Sequence, residues 1–318
     1  MWEQITALFT VGLFQNTIRN ATPVILAALG GLFTEHAGIM NIGMEGMILG
    51  GAFVAVVFSF TFASAPMGVL FAVLIGIIIG LFFALFVVKL KSDEFIIGMT
   101  LNTFSAGLTV YLLRTVFHKT GSWVSTDIKG LPPIDIPVIK DIPLLGDILS
   151  GYSIFVYISW VLVFLVWVFL YRTPYGFWMR ASGEHPEALE TAGIDPVKMK
   201  VLSSVLCGIF CGLSGAHLAL GYLNCFAEGM SASRGFIAFA CVVFGMANPP
   251  KVFGAALLFG FLQALAIRLQ SVGIPSDLTE AVPYLATVLM LVYITVRGAN
   301  KKRNRAKKAM AVQAAEEG

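Results

Sequence analysis

Apolar residues fall into runs of about 20 along this chain, separated by short intervals that hold most of the charge. A run of that length crosses a hydrocarbon core of roughly 30 Å as a helix. The pattern predicts spans over residues 17–33, 38–60, 66–88, 95–117, 152–171, 201–222, 234–247, 252–269 and 281–296. The seventh is short for a crossing and predicts a re-entrant or broken element. A further apolar piece, residues 5–14, brings the number to eight to ten. The fold class expected is all-α: a polytopic transmembrane helical bundle.

Composition agrees. Hydrophobic residues make up 58% and charged residues 12%, against about 25% charged in soluble chains. Glycine, at 32 residues, suits helices that pack closely in lipid, and Gly76/Gly80 and Gly208/Gly212 are small-xxx-small pairs expected at helix crossings. No Lys or Arg occurs in the first ten residues, so no cleavable signal is expected. Cys207 and Cys211 share a helix face, but no His or carboxylate joins them at metal-ligand spacing, so the four cysteines are read as small buried hydrophobes. His217, alone on an apolar helix, is read as a packing residue.

Charge sets the expected orientation. With alternating spans and a cytoplasmic C-terminus, most of the 21 basic residues fall on the cytoplasmic side, as the positive-inside rule requires. The division is a transmembrane domain over residues 1–297 and a basic cytoplasmic tail over 298–318. Two loops are long. The external one, 118–151, carries Pro132, Pro133, Pro137 and Pro143, which predict an extended segment rather than a helix. The cytoplasmic one, 172–200, alternates acids and bases and reads as a short amphiphilic helix, with Pro186 in its first turn and Gly193 at its end.

Motifs narrow the function by what is missing. There is no G-x-x-x-x-G-K-[ST] phosphate loop, no H-E-x-x-H and no G-x-S-x-G, so ATP binding by that device and the usual hydrolytic chemistries lack their residues. The chain moves something, supports something that does, or signals. Within the spans, Asn41 and Glu45 are four apart and expected on one helix face. Two readings stand for Glu45: a polar patch on a solute path, or a buried carboxylate paired with a neighbour such as Arg19 or Arg234. Asn102, Thr103, Tyr222 and Asn224 offer amide and hydroxyl groups for a neutral solute, and Phe104 and Phe226 are candidate stacking surfaces.

Three ordered stretches carry a resemblance. Arg180-Ala181-Ser182-Gly183-Glu184-His185-Pro186-Glu187-Ala188-Leu189 through Gly193-Ile194 resembles the E-A-A…G loop of bacterial importer permeases. Its form is that of the ribose, nucleoside and branched-chain amino acid group. Glu35 through Met47 resembles that group's E-x-x-G-x-x-N-I-x-x-E-G-M segment, and Arg234-Gly235-Phe236 through Gly260 resembles its G-R-G-F…F-G…N-P…F-G segment. Leu189 stands where alanine is usual, and Ser233 replaces the glycine before Arg234. The chain is thus similar to a permease subunit of a binding-protein-dependent ABC importer, in particular the shorter permease of nucleoside importers.

The resemblance implies a division of labour. A second permease, in a heterodimer, completes the pathway; separate ATPase subunits hold ATP-Mg, with no cofactor on this chain; and an extracellular binding lipoprotein delivers substrate. Arg180, Gly183, Glu184, Pro186, Glu187, Ala188 and Gly193 would form the ATPase-coupling element, and Asn41, Glu45, Asn102, Thr103, Phe104, Tyr222, Asn224 and Phe226 the substrate path. The lipid bilayer is a partner and nucleic acid is not. Rival readings are a permease for ribose or a similar sugar, an ion-coupled secondary transporter, which wants paired carboxylates at the midplane, and a membrane-embedded transferase.

Overall fold

A computed structural model describes residues 11–135 and 145–271, with single helical positions at Thr279, Ala281, Leu285, Val288 and Val292. The first unit runs to Leu265 and the second begins at Ala266. Six described helices are long and apolar enough to cross a membrane: Met44–Phe62, Ala65–Lys89, Glu94–Thr115, Ile154–Arg172, Pro196–Leu223 and Pro249–Gln270.

We label the helices α1 (Val11–His36), α2 (Met44–Phe62), α3 (Ala65–Ala84, continued by a π-helical turn Leu85–Lys89), α4 (Glu94–Thr115) and α5 (Leu145–Leu149). After these come α6 (Ile154–Arg172), α7 (Pro174–Glu184), α8 (Pro186–Thr191), α9 (Pro196–Ala216, continued by a π-helical turn His217–Leu223), α10 (Arg234–Phe244) and α11 (Pro249–Ser271). Helix α1 is 26 residues long, about 39 Å, and buried through most of Thr17–Thr34. Enclosure explains how it carries Asn20, Thr22 and Pro23 at membrane depth. The Thr22 hydroxyl donates to the Ile18 carbonyl at 2.8 Å, and the Pro23 carbonyl accepts from the Ser214 hydroxyl of α9 at 2.7 Å.

The core of the bundle is a seam between α3 and α9. A Cβ added to Gly80 would lie 2.5 Å from the Ser204 carbonyl oxygen, and one added to Gly76 would lie 2.9 Å from the Gly208 carbonyl carbon. Backbones meet here with no side chain between them, as the small-xxx-small spacing leads one to expect. Gly51 meets Gly212 in the same way, with 3.0 Å to its Cα, and so locks α2 to α9.

At one end of the bundle lie the 37–43 segment, α7 and α8. At the other end two pairs of short strands tie the loops: β1 (Ser122–Trp123) with β4 (Phe226–Ala227), and β2 (Pro133–Ile134) with β3 (Tyr152–Ser153), both antiparallel. The Ser59 hydroxyl anchors this end, donating to the Lys129 carbonyl at 2.8 Å and accepting the Lys129 N–H at 3.0 Å.

Several sequence expectations need correction. The second span starts at Met44 rather than residue 38, because Gly38 turns the chain at φ +71° and Asn41 then accepts the Gly43 N–H at 3.0 Å in a local turn. Asn41 and Glu45 therefore do not share a helix face. The 118–151 loop contains the one-turn helix α5 after its prolines, while residues 136–144 lie outside the described residues. The 172–200 loop holds two helices rather than one, since His185, at φ −145°, breaks the chain before Pro186. Of the ninth predicted span only isolated positions are described; Leu285, Val288 and Val292 are exposed there. Most of the 5–14 segment and all of the tail at 298–318 lie outside the described residues.

Candidate functional site

Two features stand out: a helical hairpin at one end, and a group of helix breaks inside the bundle. Thr173 caps α7, its hydroxyl accepting the Gly176 N–H at 3.2 Å, and Pro174 enters at the first position, where a missing N–H does no harm. Gly176, Met179 and Ser182 form the buried face of α7. Gly183 presses on the turn after α1; a Cβ there would lie 2.7 Å from the Gly38 nitrogen and closer to the His36 carbonyl. Pro186 starts α8. Gly193, at φ +81°, ends it with bonds from Gly193 N–H to Glu190 and from Ile194 N–H to Leu189, the paired closure that needs a left-handed residue. Glu184, Glu187, Ala188 and Glu190 are exposed, while Leu189 is buried. The guanidinium of Arg180 sits 4.9 Å from the Tyr171 ring centre. A hollow of about 320 Å³ lies against this hairpin, lined in part by Phe177, Trp178, Glu184 and Ile194.

The second feature accounts for three polar residues at membrane depth. Helix α2 begins inside the bundle. Gly46 meets Asn102, eight residues and about 12 Å along α4 from Glu94. Asn102 accepts the Gly46 N–H at 2.8 Å and donates to the Ile42 carbonyl at 3.0 Å. The Asn41 amide also donates to the Cys207 thiol at 3.3 Å. Glu45 accepts the N–H of Ser233 at 2.9 Å and that of Gly235 at 2.6 Å. Its partners are thus backbone amides at the start of α10, not a guanidinium. Arg234 instead donates to the Met230 and Ser231 carbonyls, and Arg19 lies over the Tyr152 ring. Broken helices in lipid leave N–H and C=O groups that only protein can satisfy, and Asn41, Glu45 and Asn102 do that here.

Over residues 13–293 the chain matches the family described as branched-chain amino acid transport system / permease component. It belongs to that family. Among similar proteins, the guanosine ABC transporter permease protein NupQ of Bacillus subtilis is 34% identical over 301 residues, 91% of this chain and 93% of that one. The nucleoside ABC transporter permease protein NupC of Lactococcus lactis is 32% identical, over 87% of this chain and 90% of that one. The putative glucose ABC transporter permease protein TsgC13 of Haloferax volcanii is also 32% identical, over 91% and 93%. No solved structure matches. The chain is a multi-pass membrane permease component of an ABC transport system.

In this permease the remaining predicted site residues are scattered. Thr103 and Phe104 lie on the open face of α4, with Phe104 60% exposed, beside Met99, Gly107 and Tyr111. Tyr222 and Asn224 border a hollow of about 160 Å³ near the strand pairs, with Arg19, Tyr152 and His217. Phe226 presents no open face: it is fully buried, edge-on to Phe53 at 5.1 Å. His217 is buried, its Nδ1 3.2 Å from the Ser153 hydroxyl. Sequence reasoning passed over Arg114 and Glu228, which pair at 3.2 Å. Glu228 also accepts the Gly121 N–H at 3.0 Å. That bond, with Arg114, holds its carboxyl below the usual carboxylate range. Nothing local could have paired residues 114 apart in sequence.

Proposed function

We propose that this permease carries nucleosides across the bacterial cytoplasmic membrane, receiving them from an extracellular binding lipoprotein and driven by separate ATPase subunits that hold ATP-Mg. The observation that carries the substrate is the similarity to NupQ and NupC over about nine-tenths of the chain. The α7–α8 hairpin is the ATPase-docking element on the cytoplasmic side, where the predicted positive-inside loops and tail also lie. Its polar outer face, its stop at Gly193 and its support on Gly38 suit a short lever that must not bend. Arg180, Gly183, Glu184, Pro186, Glu187, Ala188 and Gly193 are its working residues. The chain itself holds no ATPase site and no cofactor.

A second, non-identical permease subunit completes the pathway. The open face of α4, with Thr103 and Phe104 among apolar neighbours, supports a location where solute passes between two subunits. Tyr222 and Asn224 belong to the external mouth. Asn41, Glu45 and Asn102 act on that path through the backbones they cap. A sugar substrate is the second reading, favoured by the comparable similarity to TsgC13. Uptake of labelled guanosine, ribose and glucose by cells lacking the chain, with and without ATP depletion, tests both. Loss of ATP-dependent guanosine uptake, restored by the gene, is the expected result. Loss of sugar uptake alone overturns the nucleoside assignment.

A further inference from the structure

Helix α10 is eleven residues long, about 16 Å, too short to cross a bilayer. Side chains from far along the chain hold both its ends. At its start the Glu45 carboxylate accepts the Ser233 and Gly235 N–H groups, which helix geometry leaves without carbonyl partners. A carboxylate is well suited there, because it also faces the positive end of the helix dipole. At its far end the His36 Nε2 lies 2.9 Å from the Ala247 carbonyl oxygen. The backbone at each latch is left-handed without glycine: Ala232 and Ser233 at φ +45° and +61° at the start, Met246 and Ala247 at +51° and +50° at the far end. Paired residues of that kind are strained and persist only where surrounding contacts enforce them.

Helix α10 buries Gly235, Ile237, Ala238, Cys241, Val242 and Phe244 against the bundle, whereas Phe236 and Val243 are exposed on the other side. A helix held by two latches, jointed at both ends and open on one flank has the parts needed to tilt. The hairpin reaches it through aromatic contacts. Arg180 lies over Tyr171 at 4.9 Å, and Tyr171 meets the His36 ring edge-on at 6.2 Å. His36 in turn holds Ala247. We infer that α10 is a moving half-helix of the transport cycle, and that Glu45 and His36 are the positioning residues that latch it, His36 linking it to the α7–α8 hairpin. This rests on the hairpin being the ATPase-docking element, not on the choice of nucleoside as substrate.

Cys241, buried on α10, reports the latch, and Cys225, partly exposed, serves as the internal standard. Membranes from cells carrying the complete importer are treated with N-ethylmaleimide with and without ATP. Mass spectrometry then reads the label at each cysteine, and no solute is added. Cys241 in the unsubstituted protein should react slowly, at a rate that ATP changes. Glu45→Gln, which replaces one charged acceptor by an amide, should raise the rate without ATP about tenfold, the scale of one charge-assisted hydrogen bond. His36→Leu should abolish the ATP response, and His36→Gln, which keeps an N–H for Ala247, should restore it. A merely structural His36 would not produce that pair of results. Equal Cys241 rates in the unsubstituted protein and Glu45→Gln, or an ATP response that survives His36→Leu, overturns the inference. Should Glu45→Gln fail to reach the membrane, the His36 pair alone decides.

Discussion

Replacing Gly208 by alanine tests whether the α3–α9 seam holds the bundle together. The added Cβ would lie 2.8 Å from the Gly76 carbonyl carbon and closer still to its oxygen, with the Gly80 Cα at 3.4 Å. Ordinary contact begins near 3.4 Å, and the obstacle is backbone on both sides, so no side chain can rotate away. The oxygen, nearer than the carbon, sets the separation, so the helices must part by about 1 Å. A gap of 0.5–1 Å forfeits a quarter to a half of each dispersion contact. Over an interface of on the order of 40 heavy-atom pairs at 0.1–0.2 kcal/mol each, the loss is about 2 kcal/mol, in line with typical overpacking costs. Gly107 provides a control of opposite sign. Nothing lies within 4 Å of a Cβ built there, so Gly107→Ala should gain about 0.5–1 kcal/mol from reduced backbone entropy in the unfolded chain. Thermal unfolding of the purified permease in detergent, followed by tryptophan fluorescence, reads both. At roughly 2 °C per kcal/mol for a chain of this size, Gly208→Ala should lower Tm by about 4 °C and Gly107→Ala should raise it by about 1–2 °C. An unchanged Tm in Gly208→Ala, or equal falls in both variants, would refute the close-seam argument.

Two further outcomes follow from local geometry. Gly193→Val puts a β-branched side chain at φ +81°, where a residue with a Cβ costs about 1–2 kcal/mol. ATP-dependent uptake should fall sharply while the amount of permease in the membrane, read by immunoblot, stays near normal; full uptake would remove Gly193 from the coupling element. Glu228 has a carboxyl held below its ordinary value of 4.5 by the Gly121 N–H and Arg114. Its stabilising contribution is therefore complete above pH 4.5 and is lost as pH falls through the lowered native value. The Tm advantage of the unsubstituted protein over Glu228→Gln should shrink on acidification below pH 4.5, and also with added salt, since Arg114 is 56% exposed and the pair is screened. A difference that grows on acidification contradicts the assignment.

The chain's own pattern was enough to establish what kind of solvent it folds in and roughly where it crosses. Span boundaries at α3, α4 and α6 fell within a few residues of the helices, because 20 consecutive apolar residues have no alternative to a helix in lipid. The α8 helix was legible at both ends for a similarly local reason: proline supplies its own φ at Pro186, and a left-handed stop favours glycine at Gly193. The interior polar residues were not legible in the same way. From the sequence, Asn102 looks like a group offered to a solute, Asn41 and Glu45 look like one helix face, and Glu45 reads either as part of a solute path or as a buried carboxylate paired with Arg19 or Arg234. Only the tertiary structure decided that α2 starts at Met44, that Asn102 serves a break 60 residues away, and that Glu45 serves one 188 residues away. A hydrophobic run is recognised by its solvent and so is written locally. A broken backbone in lipid must be satisfied by whatever the packing brings alongside it, and that partner is not encoded in any neighbouring residue.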